Sequence, residues 1–246
     1  MLSILRPLLL LGGGVLALAS TLNSASAALT ISTTRIVYDG GQRSASVLIA
    51  NPGKQTFAAQ AWVNTQTDDT VTPVPFLTTP NLFRLAPNGE QTVKLSHLPN
   101  DLPQDRESLF FFNLQEIPQA SGEARNALNI AIRTRIKLFY RPAAVQGNPE
   151  RRLKDLHITA RLQGGQREVV VKNPTPYFYT LNRLELVSGN TRHPLPVADM
   201  LAPLAERSYP LPAALADASD LHAVITTIND YGGTTKPLTL PVHTPF

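Results

Sequence analysis

The side chains that most often carry out catalysis or bind metal ions are few in this chain and are arranged for neither task. Cysteine is absent, which excludes a thiolate nucleophile and a zinc site built on thiolates. No serine lies in a G-x-S-x-G elbow, and no two histidines have H-E-x-x-H spacing. The five histidines are His97, His157, His193, His222 and His243. The sequence therefore predicts a protein that is not an enzyme and that has no cofactor or metal site.

Two clusters of charge remain as candidates for a binding site. Asp68 and Asp69 lie among threonines, a composition that favours a solvated turn over an acid–base pair. Four cations follow one another near the middle of the chain. They are Arg133, Arg135, Lys137 and Arg141. The formal net charge is only +4, and a nucleic-acid surface needs a denser basic face, so no nucleic-acid partner is predicted.

These cations lie in a segment, LNIAIRTRIKLFYRP, that has the period of a β-strand. Its apolar residues Leu128, Ile130 and Ile132 alternate with small or polar ones. Most strands turn such a row into the core of their own domain. A row beside fixed positive charge could instead be presented to another chain. From the residues alone, both interpretations stay open.

Residues 1–27 have the pattern of a secretory signal peptide. Arg6 precedes an apolar run, and the small triplet Ala25–Ala27 predicts cleavage before Ala28. A membrane anchor is the alternative, but the apolar run is short and contains three consecutive glycines. No later stretch is long and apolar enough to cross a bilayer. We therefore expect an exported chain that begins at Ala28 and does not insert into a membrane.

After residue 28, short apolar alternations separated by turn signals outnumber helical patterns. Val47 and Ile49 share one strand face, and Val93 and Leu95 share another. Turn signals such as the Asn51–Gly53 tripeptide separate these strands. Strands at this spacing predict antiparallel sandwiches rather than alternating β and α units.

A segment containing proline and glycine, PAAVQGNP, divides the chain and predicts its domain organisation. We expect an N-terminal domain over residues 28–142, a linker over 143–149 and a C-terminal domain over 150–246. Each domain is long enough to form its own core without disulfides. Two sandwiches joined by a short linker form an elbow with a cleft, near which Lys137 and Arg141 should lie.

Four segments resemble the signatures of the periplasmic chaperones that assemble pili through the chaperone–usher pathway. They are LPQDRESLFFFNLQEIP (Leu102–Pro118), IRTRIKLFYRP (Ile132–Pro142), KNPTPYF (Lys172–Phe178) and INDYGG (Ile228–Gly233). The resemblance implies an all-β protein of two immunoglobulin-like β-sandwich domains in an L-shaped arrangement. It implies a periplasmic protein that binds, folds and caps pilin subunits and delivers them to an outer-membrane usher. The alternative is a pilus structural or adhesin subunit, against which the two complete sandwiches argue.

The resemblance also assigns roles to residues around the basic cluster. Family members lend a strand to a pilin subunit, and Leu128, Ile130 and Ile132 match the apolar residues that enter the subunit groove. Arg35 and Lys137 match two cations that bind the subunit's C-terminal carboxylate. Lys137 and the apolar row differ in parity, so a regular strand places them on opposite faces, whereas a bulge would change this. Both arrangements stay open.

Three further charged residues, Glu107, Arg141 and Asp230, match a salt-bridge network that links the two domains in the family and fixes their angle. The nine residues between Pro118 and Leu128 resemble the short-loop class of these chaperones, which is associated with rod-like, tip-bearing pili. An unpaired strand edge invites aggregation, so we expect a self-capping homodimer when no subunit is bound.

Overall fold

The computed structural model describes residues 29–117, 130–197, 200–215, 218 and 220–244. These residues are mostly β-structure and turns, with one four-residue helix, α1 (Pro149–Arg152), and two 3-10 helices, Leu153–Asp155 and Ala213–Leu215. The described strands pair in four sheets, two in each half of the chain. This architecture confirms the predicted all-β class with two immunoglobulin-like sandwiches.

The N-terminal half forms the first sandwich. Its strands are β1 (Thr30–Ile31), β2 (Arg35–Asp39), β3 (Ala45–Ala50), β4 (Phe57–Asn64), β5 (Phe76–Thr79), β6 (Leu82–Leu85), β7 (Glu90–His97), β8 (Ser108–Ile117) and β9 (Arg133–Arg141). One sheet has the order β1-β3-β7-β5, and the other has the order β2-β9-β8-β4-β6. The N-terminal segment therefore crosses from the first sheet, through β1, to the second, through β2.

The alternations seen in the sequence turn into the core between these two sheets. Val47 and Ile49 on β3 are almost completely buried, as are Val93 and Leu95 on β7. Tyr38 on β2 lies in the same core and packs edge-on against an aromatic ring of β5. Burying apolar side chains contributes about 1.5–3 kcal/mol each, which allows this domain to do without disulfides.

The C-terminal half forms the second sandwich, with a separate core. Its strands are β10 (His157–Gln163), β11 (Gln166–Lys172), β12 (Tyr179–Ser188), β13 (Thr191–Pro194), β14 (Met200–Leu201), β15 (Glu206–Pro210), β16 (His222–Ile228) and β17 (Leu238–Pro241). One sheet has the order β10-β11-β15, and the other β13-β12-β16-β17 with β14 also on β12. Val145, from the segment predicted as a linker, packs into this second core.

Strand β9 carries Lys137 and Arg141, and its two neighbouring strands pair with it over different lengths. β8 pairs with it in antiparallel fashion from Arg133 to Tyr140. β2 pairs with it in parallel fashion, and only from Lys137 to Arg141. The first four residues of β9 therefore have a described neighbour on one side only.

Candidate functional site

Arg35 and Lys137 lie side by side at the boundary between the two domains. The parallel register aligns their Cα atoms, so the side chains project from the same face of β2 and β9. Arg35 Nη1 donates a hydrogen bond to the carbonyl oxygen of Ile228 at 3.1 Å. Lys137 Nζ donates to Thr180 Oγ1 at 3.4 Å. Both acceptors belong to the C-terminal domain, so the structure brings the two predicted anchor residues together in the interdomain cleft.

The surroundings of these two cations favour a bound anion. Burial lowers the pKa of Arg35, and the charge of Asp230 offsets part of that effect. Burial, and then the neighbouring Arg35, lower the pKa of Lys137. Arg35 Nε is buried and has no hydrogen-bond acceptor among the described atoms. Two like charges with unused donors are stabilised by a carboxylate, which accepts charge-assisted hydrogen bonds from both.

Arg35 also lines a cleft of about 250 Å³ between the domains. Two aromatic rings in its wall, Phe139 and Phe178, lie with centroids 5.8 Å apart, one from each domain. Tyr231, at the mouth, is almost fully exposed. The cleft is thus open to solvent beside Arg35.

The predicted interdomain residues Glu107, Arg141 and Asp230 form one connected network. Arg141 donates from Nε to Glu107 Oε1 at 2.8 Å and from Nη1 to Asp230 Oδ2 at 2.9 Å. Glu107 Oε2 accepts a hydrogen bond from the backbone N–H of Phe178 at 2.8 Å. Burial raises the pKa of Glu107, and the Arg141 charge offsets part of this rise. Arg141 therefore connects a buried carboxylate of its own domain with a carboxylate of the other.

The apolar row beside these cations lies before the first residue of β9. The strand was predicted to run over Leu128–Tyr140, but in the described residues it begins at Arg133. Ile130 and Ile132 are 66% and 42% exposed. The carbonyl oxygen of Ile132 still accepts a hydrogen bond from Glu116 N at 2.9 Å, so pairing with β8 continues to that residue. Leu128 lies outside the described residues, as does the loop between Pro118 and Leu128.

The parity question has a structural answer for the described part of the strand. The β8–β9 register is regular from Arg133 to Tyr140, without a bulge. Even-numbered residues such as Leu138 therefore turn into the N-terminal core, and Ile132 continues that row beyond the end of the core. Lys137 lies on the opposite face, towards the C-terminal domain. The apolar row and the cation pair thus use the two faces of one strand.

The other two cations of the cluster, Arg133 and Arg135, already have partners within the chain. Arg133 lies over the Trp62 ring, and Arg135 lies over the Phe111 ring with its guanidinium carbon 3.8 Å from the centroid. Asp68 forms ion pairs with both arginines. The turn predicted to be merely solvated therefore covers these two charges, which leaves Lys137 and Arg35 as the pair available to a ligand.

Thr180 is a cleft residue that the sequence did not reveal. Its hydroxyl holds the Lys137 ammonium from the opposite domain. A threonine on a strand is ordinary, and its contact depends on how the two domains meet, so no local pattern could identify it.

Neither a metal site nor a membrane-spanning helix is found in the described parts of the chain. No group of three or more His, Asp or Glu side chains is placed there to hold a metal ion. No helix in those residues is long and apolar enough to span a bilayer.

Two family models match the chain over most of its length. The model described as "Pili and flagellar-assembly chaperone, PapD N-terminal domain" matches residues 28–146. The model described as "Pili assembly chaperone PapD, C-terminal domain" matches residues 153–238. The first match begins at the residue predicted to follow the signal peptide.

Individual chaperones are similar over the same length. The chaperone protein PapD of Escherichia coli is 38% identical over 215 residues, 86% of each chain. The crystal structure of the YadV chaperone aligns with a TM-score of 0.72 and 33% identity, over 87% of this chain and 98% of YadV. The SafB chaperone, solved in complex with the Salmonella enterica SafA pilin, aligns with a TM-score of 0.72 and 26% identity, over 89% and 98%. The chain therefore belongs to the family of pilus assembly chaperones, which is a family of chaperones and not a class of enzymes.

Proposed function

We propose that this protein is a periplasmic chaperone that holds pilin subunits by donor-strand complementation and passes them to an outer-membrane usher. The observation that carries the proposal is the half-open strand β9. Its first four residues have a free backbone edge, and the exposed Ile130 and Ile132 precede them. The same strand then continues to Lys137 in the cleft. The SafB chaperone was solved with a pilin bound, and the likeness of this chain to SafB supports a partner of the same kind.

The free edge of β9 supplies the main-chain part of the binding. Among the described strands, β2 covers only Lys137–Arg141, so the outer backbone groups from Arg133 to Ile136 have no partner strand. A subunit that lacks its last strand can add its own edge here, as in other cases of strand addition. Main-chain hydrogen bonds of this kind make little demand on the subunit's sequence.

The apolar row supplies the side-chain part. Ile130 and Ile132 project beyond the core of their own domain, and Leu128 would extend the row. We expect all three to enter the groove left by the missing strand of the subunit. Because the row lies on the face opposite Lys137, a subunit can bury it while its chain end occupies the cleft.

Arg35 and Lys137 supply the anchor for the C-terminal carboxylate of the subunit. Every polypeptide ends in a carboxylate, so this contact serves many subunits. Anchoring the end also fixes the register of the added strand. A slip by one residue would turn the apolar row away from the groove.

Glu107, Arg141 and Asp230 have a supporting role in this proposal. The network spans the domain boundary, and Arg35 and Lys137 each contact a residue of the other domain. Changing the interdomain angle would therefore move the two acceptors of the C-terminal domain away from the cations that they hold. We propose that the network fixes that angle, and that a homodimer covers the open edge of β9 when no subunit is present.

The test is to produce the full chain together with a pilin subunit from the same organism and to purify both from the periplasm. We expect a stoichiometric complex with the native chaperone and with Lys94→Ala, which removes an exposed lysine of β7. Lys137→Ala should weaken the complex about tenfold or more, since a hydrogen bond to a charged group contributes about 1.5–3 kcal/mol. A complex that survives Lys137→Ala unchanged would contradict the anchor, and no complex with the native chain would contradict the function.

A further inference from the structure

Three cations follow one another at intervals of two residues along β9. Arg133, Arg135 and Lys137 project from the same face of the strand, because the register with β8 is regular over this stretch. Two residues of a strand span about 6.6 Å. A chain end that carries a carboxylate therefore meets three positive charges at equal spacing. Of the three, Lys137 is the one aligned with Arg35.

The free edge of β9 does not by itself choose among these cations. A partner strand that slips by one residue turns its side chains over, but a slip of two restores them, because the side-chain period of a strand is two. A slip towards Arg141 is blocked, since β2 occupies that edge from Lys137 onwards. A slip of two residues in the other direction brings the chain end to Arg135. The apolar row and the backbone edge therefore leave the register open in steps of two.

The turn after β4 removes this ambiguity at both arginines. Asp68 forms ion pairs with Arg133 and Arg135. Arg133 Nε also donates to Asn113 Oδ1 at 3.0 Å. Arg135 Nη2 donates to the carbonyl oxygen of Thr65 at 2.6 Å. The carboxylate of Asp68 thus occupies the place at these two guanidinium groups that the carboxylate of a chain end would take.

We propose that Asp68 is a specificity-determining residue, which sets the register of a bound subunit by excluding its chain end from Arg133 and Arg135. The inference rests on the proposed anchor at Arg35 and Lys137 and explains why the end binds there and not two residues earlier. A second carboxylate at either arginine would meet the like charge of Asp68 and would have to displace acceptors already in place. Lys137, by contrast, donates to a neutral hydroxyl and has no ion pair among the described residues.

Calorimetry with a synthetic peptide tests this role. The peptide carries the last residues of a pilin subunit from the same organism and ends in a free carboxylate or in an amide. The native chain should bind the free acid about tenfold or more tightly than the amide, and Lys137→Ala should remove most of this preference. Adding Asp68→Asn should return a preference of about threefold to tenfold, because Arg135 becomes free to hold the carboxylate. Asparagine tolerates the left-handed backbone of Asp68, with φ 63°, so the substitution removes only the charge.

Two further variants identify the cation and exclude a general effect of charge. Arg135→Gln, added to the double variant, should remove most of the returned preference. Asp105→Asn is the matched control, because Asp105 is an exposed acid of the same domain that pairs with Arg106. Combined with Lys137→Ala, it should return no preference. No return with Asp68→Asn, or an equal return with Asp105→Asn, would overturn the role of Asp68 alone. A native chain that does not distinguish acid from amide would contradict the proposed anchor and this inference together.

A shortened pilin subunit tests the register in the full complex. An added strand that ends at the cation pair runs in the same direction as β9. Removing the last two residues of the subunit therefore moves its end back by about 6.6 Å, to Arg135. On purification from the periplasm, the native chaperone should lose this shortened subunit, whereas Asp68→Asn should retain part of it. Equal recovery of the shortened subunit with the two chaperones would contradict the proposal.

Discussion

Strand β9 pairs with β2 from Lys137 to Arg141 and with β8 from Arg133 to Tyr140. Its paired half, Lys137–Arg141, and its open half, Ile132–Ile136, which pairs on the β8 side only, use the same alternation differently. In the paired half, even-numbered residues such as Leu138 fill the core, and odd-numbered residues face the second domain. In the open half, Ile132 continues the core row into solvent. A single alternating pattern can therefore stabilise one part of a strand and leave another part free to bind.

In the open half, the charged side chains have partners within the chain, whereas the apolar side chains are exposed. Arg133 and Arg135 are covered by aromatic rings and by Asp68, although they lie beside the uncovered apolar row. Asp68 offsets one of these two positive charges, and an aromatic ring lies against each guanidinium group. The features left accessible are the backbone edge and the apolar side chains, which are the features that a strand-shaped partner needs.

The largest effect is expected at the far end of the paired half. Arg141→Ala leaves the buried carboxylate of Glu107 without its cation, and breaking a buried pair in this way costs about 3–5 kcal/mol. We expect a correspondingly lower free energy of unfolding in urea and a changed interdomain angle in small-angle scattering. Arg84→Ala, at an exposed position of β6, is the matched control and should change neither.

The cost of Arg141→Ala should depend on pH in a defined direction. Burial raises the pKa of Glu107, and removing Arg141 takes away the largest interaction that opposes this rise, leaving the hydrogen bond from the Phe178 N–H. A carboxyl group whose pKa is higher in the folded state than in the unfolded state takes up a proton on folding. The variant's deficit should therefore be smallest near pH 4 and grow towards pH 7. A deficit that is constant over this range would exclude a stranded Glu107 as its cause.

The second comparison sets one core residue against one residue of the open row. Leu138→Ala removes a fully buried side chain and should cost about 2–5 kcal/mol of stability. Ile132→Ala removes a side chain that is 42% exposed and lies beyond the end of the core, so it should cost less. Urea unfolding of both variants measures the difference. Similar losses would mean that the open half contributes to the fold as much as the paired half does.

The sequence predicted the local features of this arrangement but not the contacts between distant segments. The alternation of β9, the turn signals and the basic cluster are properties of neighbouring residues, and they predicted strands and an all-β fold. Which cations remain free depends on contacts between distant segments, such as Asp68 with Arg133. Strand periodicity alone could not distinguish Arg133 from Lys137, because both are odd-numbered residues of one strand.

The start of β9 was predicted incorrectly for a related reason. Alternation from Leu128 onwards has the period of a strand, but assignment as a strand also requires backbone partners. Those partners end at Ile132 on the β8 side and at Lys137 on the β2 side. The alternation of side chains carries no information on where these backbone partners end.

Binding should respond to the open row even where stability does not. Ile130 is 66% exposed, so most of its side chain is still available for burial. Ile130→Ala should weaken the complex with a pilin by about 1–2 kcal/mol, or roughly five- to thirty-fold. Leu162→Ala truncates an equally exposed leucine of the C-terminal domain and is the control. Equal binding by the two variants would contradict a role for Ile130 in the subunit groove.

The smallest effect concerns the boundary between the two halves, at Lys137. Burial and the neighbouring Arg35 lower its pKa below the ordinary 10.5, whereas a bound carboxylate favours the charged form and raises it. Binding at alkaline pH therefore includes proton uptake, and affinity should fall as pH rises through the pKa of the free protein. The fall should reach at most about tenfold per unit of pKa change. It can be measured by calorimetry with a synthetic peptide that ends in a free carboxylate.

The amidated form of that peptide isolates the cause of this pH dependence. It lacks the terminal charge, so its weaker binding should be insensitive to pH in the same range. Lys137→Arg should also remove the dependence for the carboxylate peptide, because arginine stays protonated throughout. If the amidated peptide loses affinity in parallel with the free acid, the titrating group is not responding to the chain end. Lys137 would then not bind the chain end, and its role would be structural.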